Sequence, residues 1–301
     1  MMMIRMLTNQ PLTVFWLFLS LPGLVSAIEV EDDWGRQLKL RSPAQRVIAL
    51  SPHATELLFA AGADKRLIAA VDYSDFPVVA KDLPRVGGNQ ALDVERILGL
   101  KPDLIVAWGS GNGEAVIERL RALGLNVFVS EPRRLPDIAS NIDRLGRLMA
   151  TTSVSHRASQ AYLDKLHGLR SNYSNQAKVS VFYQLWNQPL MTVNGEHMIS
   201  SVIRLCGGHN IFNQQQQLAP VIDKEAVIKA NPQVILAGGE IATRQSWLDA
   251  WSSWSNLDAV QKDNLFLIDV DLLQRATSRV LLGAEKVCEA LDHVRAKLAV
   301  E

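Results

Sequence analysis

The sequence predicts an α/β protein with two lobes of mainly parallel sheet, joined by one long α-helix, and a ligand cleft between the lobes. Short apolar segments alternate with amphipathic ones along most of the chain, a pattern typical of parallel strands covered by helices. One motif also occurs twice, at 92–109 and at 222–239. In both copies an acidic helix start precedes a proline break and an apolar strand that ends in Gly. The repeat predicts two similar lobes, and 301 residues suffice for two cores.

The first lobe is predicted at 28–152. It begins with a charged segment, Glu31–Arg36, which we expect to be an exposed leader. Apolar runs of four or five residues then predict strands, and Gly62 and Gly124 mark the ends of two helices. The predicted strands are Arg46–Leu50, Leu67–Val71, Leu104–Trp108 and Val127–Ser130, and the predicted helices are Thr55–Ala61, Val94–Leu100, Glu114–Leu123 and Leu135–Met149.

A connecting helix is predicted at 153–174. After a polar break at Thr151–Ser155, the segment His156–Arg170 forms a helix with charged faces. The region has no flexible Gly/Ser linker, so we expect a stiff connection and only a small closure on ligand binding. The second lobe, 175–301, is predicted to contain strands at Val179–Leu185, Val234–Ala237 and Phe266–Val270, and helices at His197–Leu205, Ser246–Trp254 and Arg279–Leu298.

The first 27 residues predict a cleaved signal peptide. Arg5 supplies a positive charge, Leu12–Leu21 is an apolar stretch, and Val25–Ala27 provides the small residues that a signal peptidase requires. The apolar stretch is shorter than the roughly 20 residues of a spanning helix, and a retained N-terminal anchor is the alternative. We expect cleavage near Ala27 and export to a bacterial periplasm.

Charge and cysteine content narrow the class of protein. The chain has 31 basic and 31 acidic residues, so it lacks the positive charge typical of proteins that bind nucleic acid. Cys206 and Cys288 are its two cysteines. In an oxidising compartment they can form a disulfide, and two buried free thiols are the alternative.

The sequence contains none of the catalytic or metal-binding motifs that we sought. There is no Gly-x-Ser-x-Gly elbow, no phosphate loop and no His-Glu-x-x-His, and no two His residues have metal-ligand spacing on a helix. Gly109-Ser-Gly111 follows a strand but lacks the third glycine of a dinucleotide site. We therefore expect a binding protein rather than an enzyme, without a cofactor or a resident metal.

Several residues at predicted strand ends are candidates for lining the cleft. Trp108 could lie flat against a planar ligand, with packing in the core as the alternative. Tyr73 and Trp186 also follow strands, one in each lobe, and Tyr73 could equally belong to a plain loop. Asp271 and Arg275 follow the strand Phe266–Val270, where they could bind ligand amides or pair with each other. His53 could contact the ligand or cap the adjoining helix.

Glu95 and Glu225 occupy matching positions in the two motif copies. Two similar lobes would present these carboxylates as a matched pair on one surface, which suits docking to a two-fold partner. The alternative is a stabilising interaction of each carboxylate with its own helix dipole.

The chain resembles the cobalamin-binding family of periplasmic substrate-binding proteins, whose lobes are joined by a single long helix. The resemblance extends from about Arg46 to Leu291 in the order and spacing of its motifs. The segments that carry it are Ser51–Gly62, Tyr73–Pro77, Leu100–Trp108, Cys206–Phe212 and Arg275–Arg279.

The resemblance implies a ligand, a partner and a set of residues. Members deliver their ligand to an ABC importer in the inner membrane, where a Glu on each lobe engages Arg residues of the two permease subunits. The matching positions here are Glu95 and Glu225. Cys206 and Cys288 match the family's disulfide, and we expect a monomer. The positions that match cobalamin contacts are Tyr73, Trp108, Asp271 and Arg275.

Some family aromatics are replaced in this chain. Asn89 and Ala219 stand where relatives have Trp, and Met191 stands where one has an aromatic ring; Trp186 would compensate from a neighbouring position. We count Asn89 and Trp186 among the expected ligand contacts. Haem or a ferric siderophore is the alternative ligand, and haem would use Tyr73 or His53 as an axial ligand.

Overall fold

The computed structural model describes residues 27–88, 91–238 and 246–299. Its centre is formed by two parallel four-stranded sheets, one in each lobe, and a two-stranded antiparallel hairpin precedes them. The strands are β1 (Ile28–Glu31), β2 (Gln37–Leu40), β3 (Val47–Ala49), β4 (Leu67–Ala70), β5 (Leu104–Trp108), β6 (Val127–Ser130), β7 (Val179–Gln184), β8 (Gly208–Asn210), β9 (Val234–Gly238) and β10 (Leu265–Ile268).

Helices cover both faces of each sheet. A short 3₁₀ helix at Val78–Asp82 and a helical turn at 246–249 accompany them. The α-helices are α1 (Pro52–Ala60), α2 (Val94–Gly99), α3 (Gly109–Asn112), α4 (Glu114–Ala122), α5 (Leu135–Met149), α6 (Thr152–Tyr173), α7 (Met198–Leu205), α8 (Lys224–Ala230), α9 (Asp258–Gln261), α10 (Val270–Leu273) and α11 (Val280–Leu298).

The two sheets have equivalent topology. The first has the strand order β4-β3-β5-β6, and the second has β10-β9-β7-β8, which read from its other edge is β8-β7-β9-β10. In both lobes the helix of the repeated motif leads into a strand that pairs with the first strand of its sheet. Helix α2 leads into β5, which pairs with β3, and α8 leads into β9, which pairs with β7. The duplication predicted from the sequence is therefore confirmed, as is the two-lobed α/β fold with parallel sheets.

The central strands are buried on both faces because their side chains are apolar on both faces. Every residue of β3, β6 and β9 is buried, as expected for a parallel sheet between two helical layers. The inner faces of both sheets share one continuous apolar core, to which α5, α6 and α11 contribute side chains from between the lobes. The outer face of each sheet has a separate apolar cluster.

The connecting helix α6 has 22 residues, which makes it about 33 Å long. It begins at Thr152, so the predicted polar break at Thr151–Ser155 is wrong; the chain turns instead at Ala150, whose φ is 54°. The turn folds α6 back on α5, and the Tyr162 hydroxyl donates to the Leu135 carbonyl at 2.9 Å. The connection is therefore a packed helical hairpin rather than one isolated helix.

The segment predicted as an exposed leader is the turn of the β1–β2 hairpin. The side chain of Asp32 is 1% exposed and pairs with Arg121 at 2.8 Å, while Asp33 forms an ion pair with Arg144. Burial of these charges depends on arginines about 90 to 110 residues away in the chain, so local charge density could not predict it.

Two elements of the second lobe also differ from the prediction. Only 246–249 of the predicted helix Ser246–Trp254 is helical, and the residues that follow form turns. The last strand ends at Ile268, two residues before the predicted end at Val270. Asp269 then caps the short helix α10, which takes the place of the predicted loop. Strand β8 was not predicted because its three residues include one glycine and two polar residues.

Cys206 and Cys288 form a disulfide with a Cα–Cα distance of 4.7 Å. The bond joins the end of α7 to the middle of α11 and confirms the pairing that the resemblance implied. Among the described residues, no helix has both the length and the apolar character needed to cross a bilayer.

Candidate functional site

A cavity of about 410 Å³ lies between the two lobes. The carboxyl ends of parallel strands provide much of its first wall, since Trp108 ends β5, and His53 and Glu131 follow β3 and β6. The segment before α7 and the one after α10 provide much of the second wall. A wider cavity of about 880 Å³ shares Glu131, Arg133 and Glu196, so the cleft continues along the hairpin.

Trp108 is the aromatic ring of the first wall. Its ring packs on Gly111, where a Cβ atom would lie 1.9 Å from the ring. The Asn112 side chain accepts from the Trp108 N–H at 2.7 Å and donates to the Leu50 carbonyl at 3.0 Å. The Gly-Ser-Gly-Asn segment thus positions the Trp108 ring at the cleft. This packing accounts for Gly111, so a dinucleotide-binding role is not needed to explain the glycine.

Glu131 lies beside Trp108 on the same wall. Its carboxylate accepts from the Ser110 N–H at 2.6 Å and from the Ser110 hydroxyl at 3.0 Å. A Cβ at Gly109 would lie 2.8 Å from Glu131 Oε2, so this glycine permits the close approach. Glu131 follows β6 as Trp108 follows β5, and the strand-end rule could have identified it.

His53 is buried against Trp108, with the ring centroids 5.5 Å apart and the planes at 86°. Its Nδ1 shares a hydrogen bond of 3.0 Å with Ser51 Oγ, and its Nε2 has no hydrogen-bond partner among the described residues. Burial lowers the pKa of His53 to about 4, although the Ser130 backbone and the Asp33 charge oppose the shift. The ring is therefore neutral at neutral pH, and its Nε2 atom is buried.

His197 lines the opposite wall. Its Nδ1 accepts from the Ile199 N–H at 3.1 Å, so the imidazole is the N-cap of α7. Burial lowers the pKa of His197 to about 4. Because Nδ1 accepts a hydrogen bond, the proton of the neutral ring is on Nε2. The sequence analysis did not select His197, because it follows no strand.

Arg275 joins the two walls. It forms ion pairs with Asp75 at 2.6 Å and Glu56 at 3.2 Å in the first lobe, and with Asp271 at 3.1 Å in its own lobe. Arg279 adds two contacts to Glu56, at 2.6 and 2.9 Å. We call these five residues the interlobe ion cluster.

Burial acts to raise the pKa of both aspartates of the interlobe ion cluster, but the net pKa shifts of the two groups are opposite. It raises the pKa of Asp271, although the Arg275 charge opposes the shift. At Asp75 burial acts in the same direction, but the hydrogen bond from Arg275 outweighs it and holds the pKa below its usual value. Arg275 thus favours the charged form of Asp75, and the cluster connects the lobes beside the cavity.

The structure brings some of the predicted ligand contacts together. Trp108 and Arg275 line the cavity, and Asp271 contacts it through Arg275, so the pairing alternative for these two residues is observed. Tyr73 is 82% exposed with a φ of 63° and does not line this cavity. Trp186 is 47% exposed and lies edge-to-face with Trp247 at the surface. Asn89 is outside the described residues.

Glu95 and Glu225 are both exposed, each in the first turn of its helix. Asp93 caps α2 and Asp223 caps α8, each by accepting a backbone N–H three residues later. Since aspartates already cap both helices, neither glutamate is needed as a cap. Within the described part of the chain, no ion pair involves Glu95 or Glu225.

The described residues include no group of three or more His, Cys, Asp or Glu side chains that could hold a metal ion. The polar groups that line the cavity are instead suited to hydrogen bonding. Besides the two histidines they include the neutral amides Asn194, Gln216 and Gln274. The arrangement can hold a solute between an aromatic ring and polar side chains.

Comparison with known proteins identifies relatives along most of the chain. The family model described as periplasmic binding protein matches residues 47–272. The vitamin B12-binding protein of Vibrio cholerae serotype O1 is 39% identical over 250 residues, which cover 83% of this chain and 90% of that protein.

Solved structures of periplasmic binding proteins also match this chain. The crystal structure of the periplasmic vitamin B12 binding protein BtuF of Vibrio cholerae matches with a TM-score of 0.79 and 37% identity, over 84% of this chain and 98% of that one. The periplasmic heme binding protein HutB of Vibrio cholerae has the same fold, with a TM-score of 0.72 and 21% identity over 82% and 98% of the two chains. By sequence and by structure, the chain belongs to the periplasmic binding protein family.

Proposed function

We propose that this protein captures cobalamin or a related corrinoid in the periplasm and delivers it to an ABC importer of the inner membrane. The cavity between the lobes, with Trp108 on one wall and polar groups on both, is the observation that carries the proposal. The relative that is 39% identical is named for vitamin B12 binding, which supports a corrinoid as the solute. Periplasmic binding proteins carry solutes, so we propose transport rather than catalysis.

We propose that the ligand lies across the cleft with one face or edge against Trp108. Arg275 is available at the same cavity, with Asp271 beside it. Tyr73 and Trp186 expose large aromatic surfaces near strand ends, and they would contact parts of a large ligand that extend beyond the cavity. We retain Asn89 as a proposed contact.

We propose that Glu95 and Glu225 dock the protein to the two permease subunits. Both carboxylates are exposed and occupy equivalent positions in lobes of equivalent topology. In this proposal 28–152 and 175–301 act as the two docking lobes of a monomer, and residues 1–27 direct export. Charge reversal at both glutamates should abolish uptake while leaving ligand capture intact; unchanged uptake would contradict the docking role.

Calorimetric titration of the mature protein with cyanocobalamin, run beside hemin, tests the function. We expect a one-to-one complex with cyanocobalamin, weakened in Trp108→Ala. Trp254→Ala is the matched control, because Trp254 is a partly exposed ring that does not line the cavity. Absence of cyanocobalamin binding would contradict the proposal.

Haem is the second candidate, because His53 lines the cavity; iron ligation would use the tautomer of its ring in which Nδ1 carries the proton and Nε2 does not. Tyr73, the other axial candidate from the sequence, does not line the cavity. Haem ligation would produce a Soret band that is lost in His53→Ala. A band of equal intensity in that variant would exclude His53 as the axial ligand.

A further inference from the structure

The two walls of the cleft each present one neutral imidazole. His53 lies at the start of α1 and His197 at the start of α7, and both line the cavity. Each ring uses Nδ1 in a hydrogen bond at the start of its own helix. The second nitrogen, Nε2, is therefore the one left for a ligand.

The proton position makes Nε2 of His197 a donor, and the hydrogen bond between Ser51 and His53 is compatible with the same tautomer of His53. At His197 the Nδ1 atom accepts from the Ile199 N–H, which leaves the proton of the neutral ring on Nε2. At His53, Ser51 Oγ already accepts the Ala54 N–H at 3.1 Å, so its own proton is available for His53 Nδ1. His53 is 93% buried and its Nε2 has no partner among the described residues, a state that a ligand acceptor would relieve.

The charges around the cavity disfavour an anionic ligand group. The carboxylates of Glu131 and Glu196 line it, one on each wall, and the cations among the described lining residues are Arg133 and Arg275. Arg275 contacts three carboxylates of the interlobe ion cluster, so its charge is already compensated. A carboxylate entering the cleft would meet two others, Glu131 and Glu196, and the charge of Arg133.

Corrinoids and haem differ in the charge of the side chains at the edge of the ring. The side chains at the edge of cobalamin are largely primary amides, whose carbonyl oxygens accept hydrogen bonds without carrying charge. Haem carries two propionates. Neutral N–H donors satisfy an amide carbonyl well, whereas a carboxylate gains most from a charged donor.

We propose, on the basis of the corrinoid-binding function proposed above, that His53 and His197 are paired hydrogen-bond donors to amide carbonyls of the ligand. Together with Glu131 and Glu196, they make the cleft select amide-bearing tetrapyrroles over carboxylate-bearing ones. His53 and His197 are thus specificity-determining residues for the transported solute.

The test uses two probes, cyanocobalamin and cyanocobalamin in which one propionamide is hydrolysed to a carboxylate. We expect the wild-type protein to bind the amide form more tightly. His53→Phe keeps a ring beside Trp108 but removes the donor, and His197→Asn keeps an N-capping side chain but withdraws the donor from the cleft. Each should weaken cyanocobalamin binding by about three- to tenfold, the value of one hydrogen bond.

Three further variants complete the experiment. His53→Gln restores an N–H donor and should recover most of the affinity lost in His53→Phe. Glu196→Gln should strengthen binding of the carboxylate probe relative to that of cyanocobalamin, and so reduce the discrimination between the two probes. His167→Phe is the control, because His167 is exposed on α6 and does not line the cavity.

Two results would overturn the inference. One is tight cyanocobalamin binding that is unchanged in both His53→Phe and His197→Asn, and the other is equal wild-type affinity for the two probes. Either would leave the corrinoid-binding function intact. Absence of binding to both probes by the wild-type protein would instead overturn the proposed function and the inference with it.

Discussion

Replacement of Glu56 should loosen the attachment between the lobes. Its side chain is 4% exposed and contacts Arg275 and Arg279, which are 15% and 16% exposed. Glu56→Gln keeps the volume but removes the charge, so Arg279 loses its ion pair with residue 56 and keeps the contact with the Phe76 ring, 4.1 Å from its guanidinium carbon. Removing one partner of a buried pair typically destabilises a protein by 3–5 kcal/mol.

We expect the lower end of that range, about 3 kcal/mol, because Arg275 keeps its contacts with Asp75 and Asp271. For a protein of this size the loss corresponds to a fall in melting temperature of roughly 6–12 °C. Calorimetric melting and urea unfolding measure it. Small-angle scattering without ligand should also show a wider distribution of lobe separations.

The control is Glu289→Gln, which removes an exposed pair with Lys286 and should leave the melting temperature unchanged. If Glu56→Gln melts like the wild-type protein, the interlobe ion cluster does not hold the lobes together, and the shared apolar core alone does so. A lower melting temperature with an unchanged scattering profile would show that the cluster stabilises the first lobe rather than the contact between lobes.

Three further predictions address the cleft and the disulfide. The pKa of His53 is about 4 when folded against 6.5 in its ordinary state, so the unfolded chain binds its proton first as the pH falls. This group should lower the stability by about 2 kcal/mol between pH 7 and pH 5, and His197, with the same pKa, should add a similar loss. His53→Gln should lack the His53 share in a urea titration. Gly111→Ala places a Cβ within 1.9 Å of the Trp108 ring, so cyanocobalamin affinity should fall by about three- to tenfold in calorimetry, whereas Gly99→Ala, with no atom within 4 Å, should not change it. Replacing both disulfide cysteines by Ala opens a link that spans 82 residues and should reduce the free energy of unfolding by about 2–4 kcal/mol; a wild-type protein insensitive to reductant would contradict this.

Much of the fold could be predicted because parallel strands buried on both faces carry a strong local signal. Leu104–Trp108 and Val127–Ser130 were predicted with the bounds that the structure shows. The repeated motif predicted the matched helices α2 and α8, but it did not predict the strand order of the sheets against which they pack. Strands such as β8 were missed because polar residues and Gly give no such signal.

The site was only partly predictable, since a strand end determines an edge of the sheet but not the direction of each side chain. Trp108 lines the cavity because Gly111 leaves room for its ring, whereas the backbone of Tyr73 adopts a positive φ and its ring is exposed. The contact of Glu56 with Arg279 joins residues 223 positions apart. No local pattern contains that information.

The shared core between the sheets has a consequence for unloading. Because the inner faces of both lobes are buried in one apolar cluster, a wide spontaneous opening would expose that surface to water, which is strongly unfavourable. Thermal fluctuation alone should therefore seldom free a bound solute. If the protein delivers its solute as proposed, the importer would have to separate the two lobes against this burial.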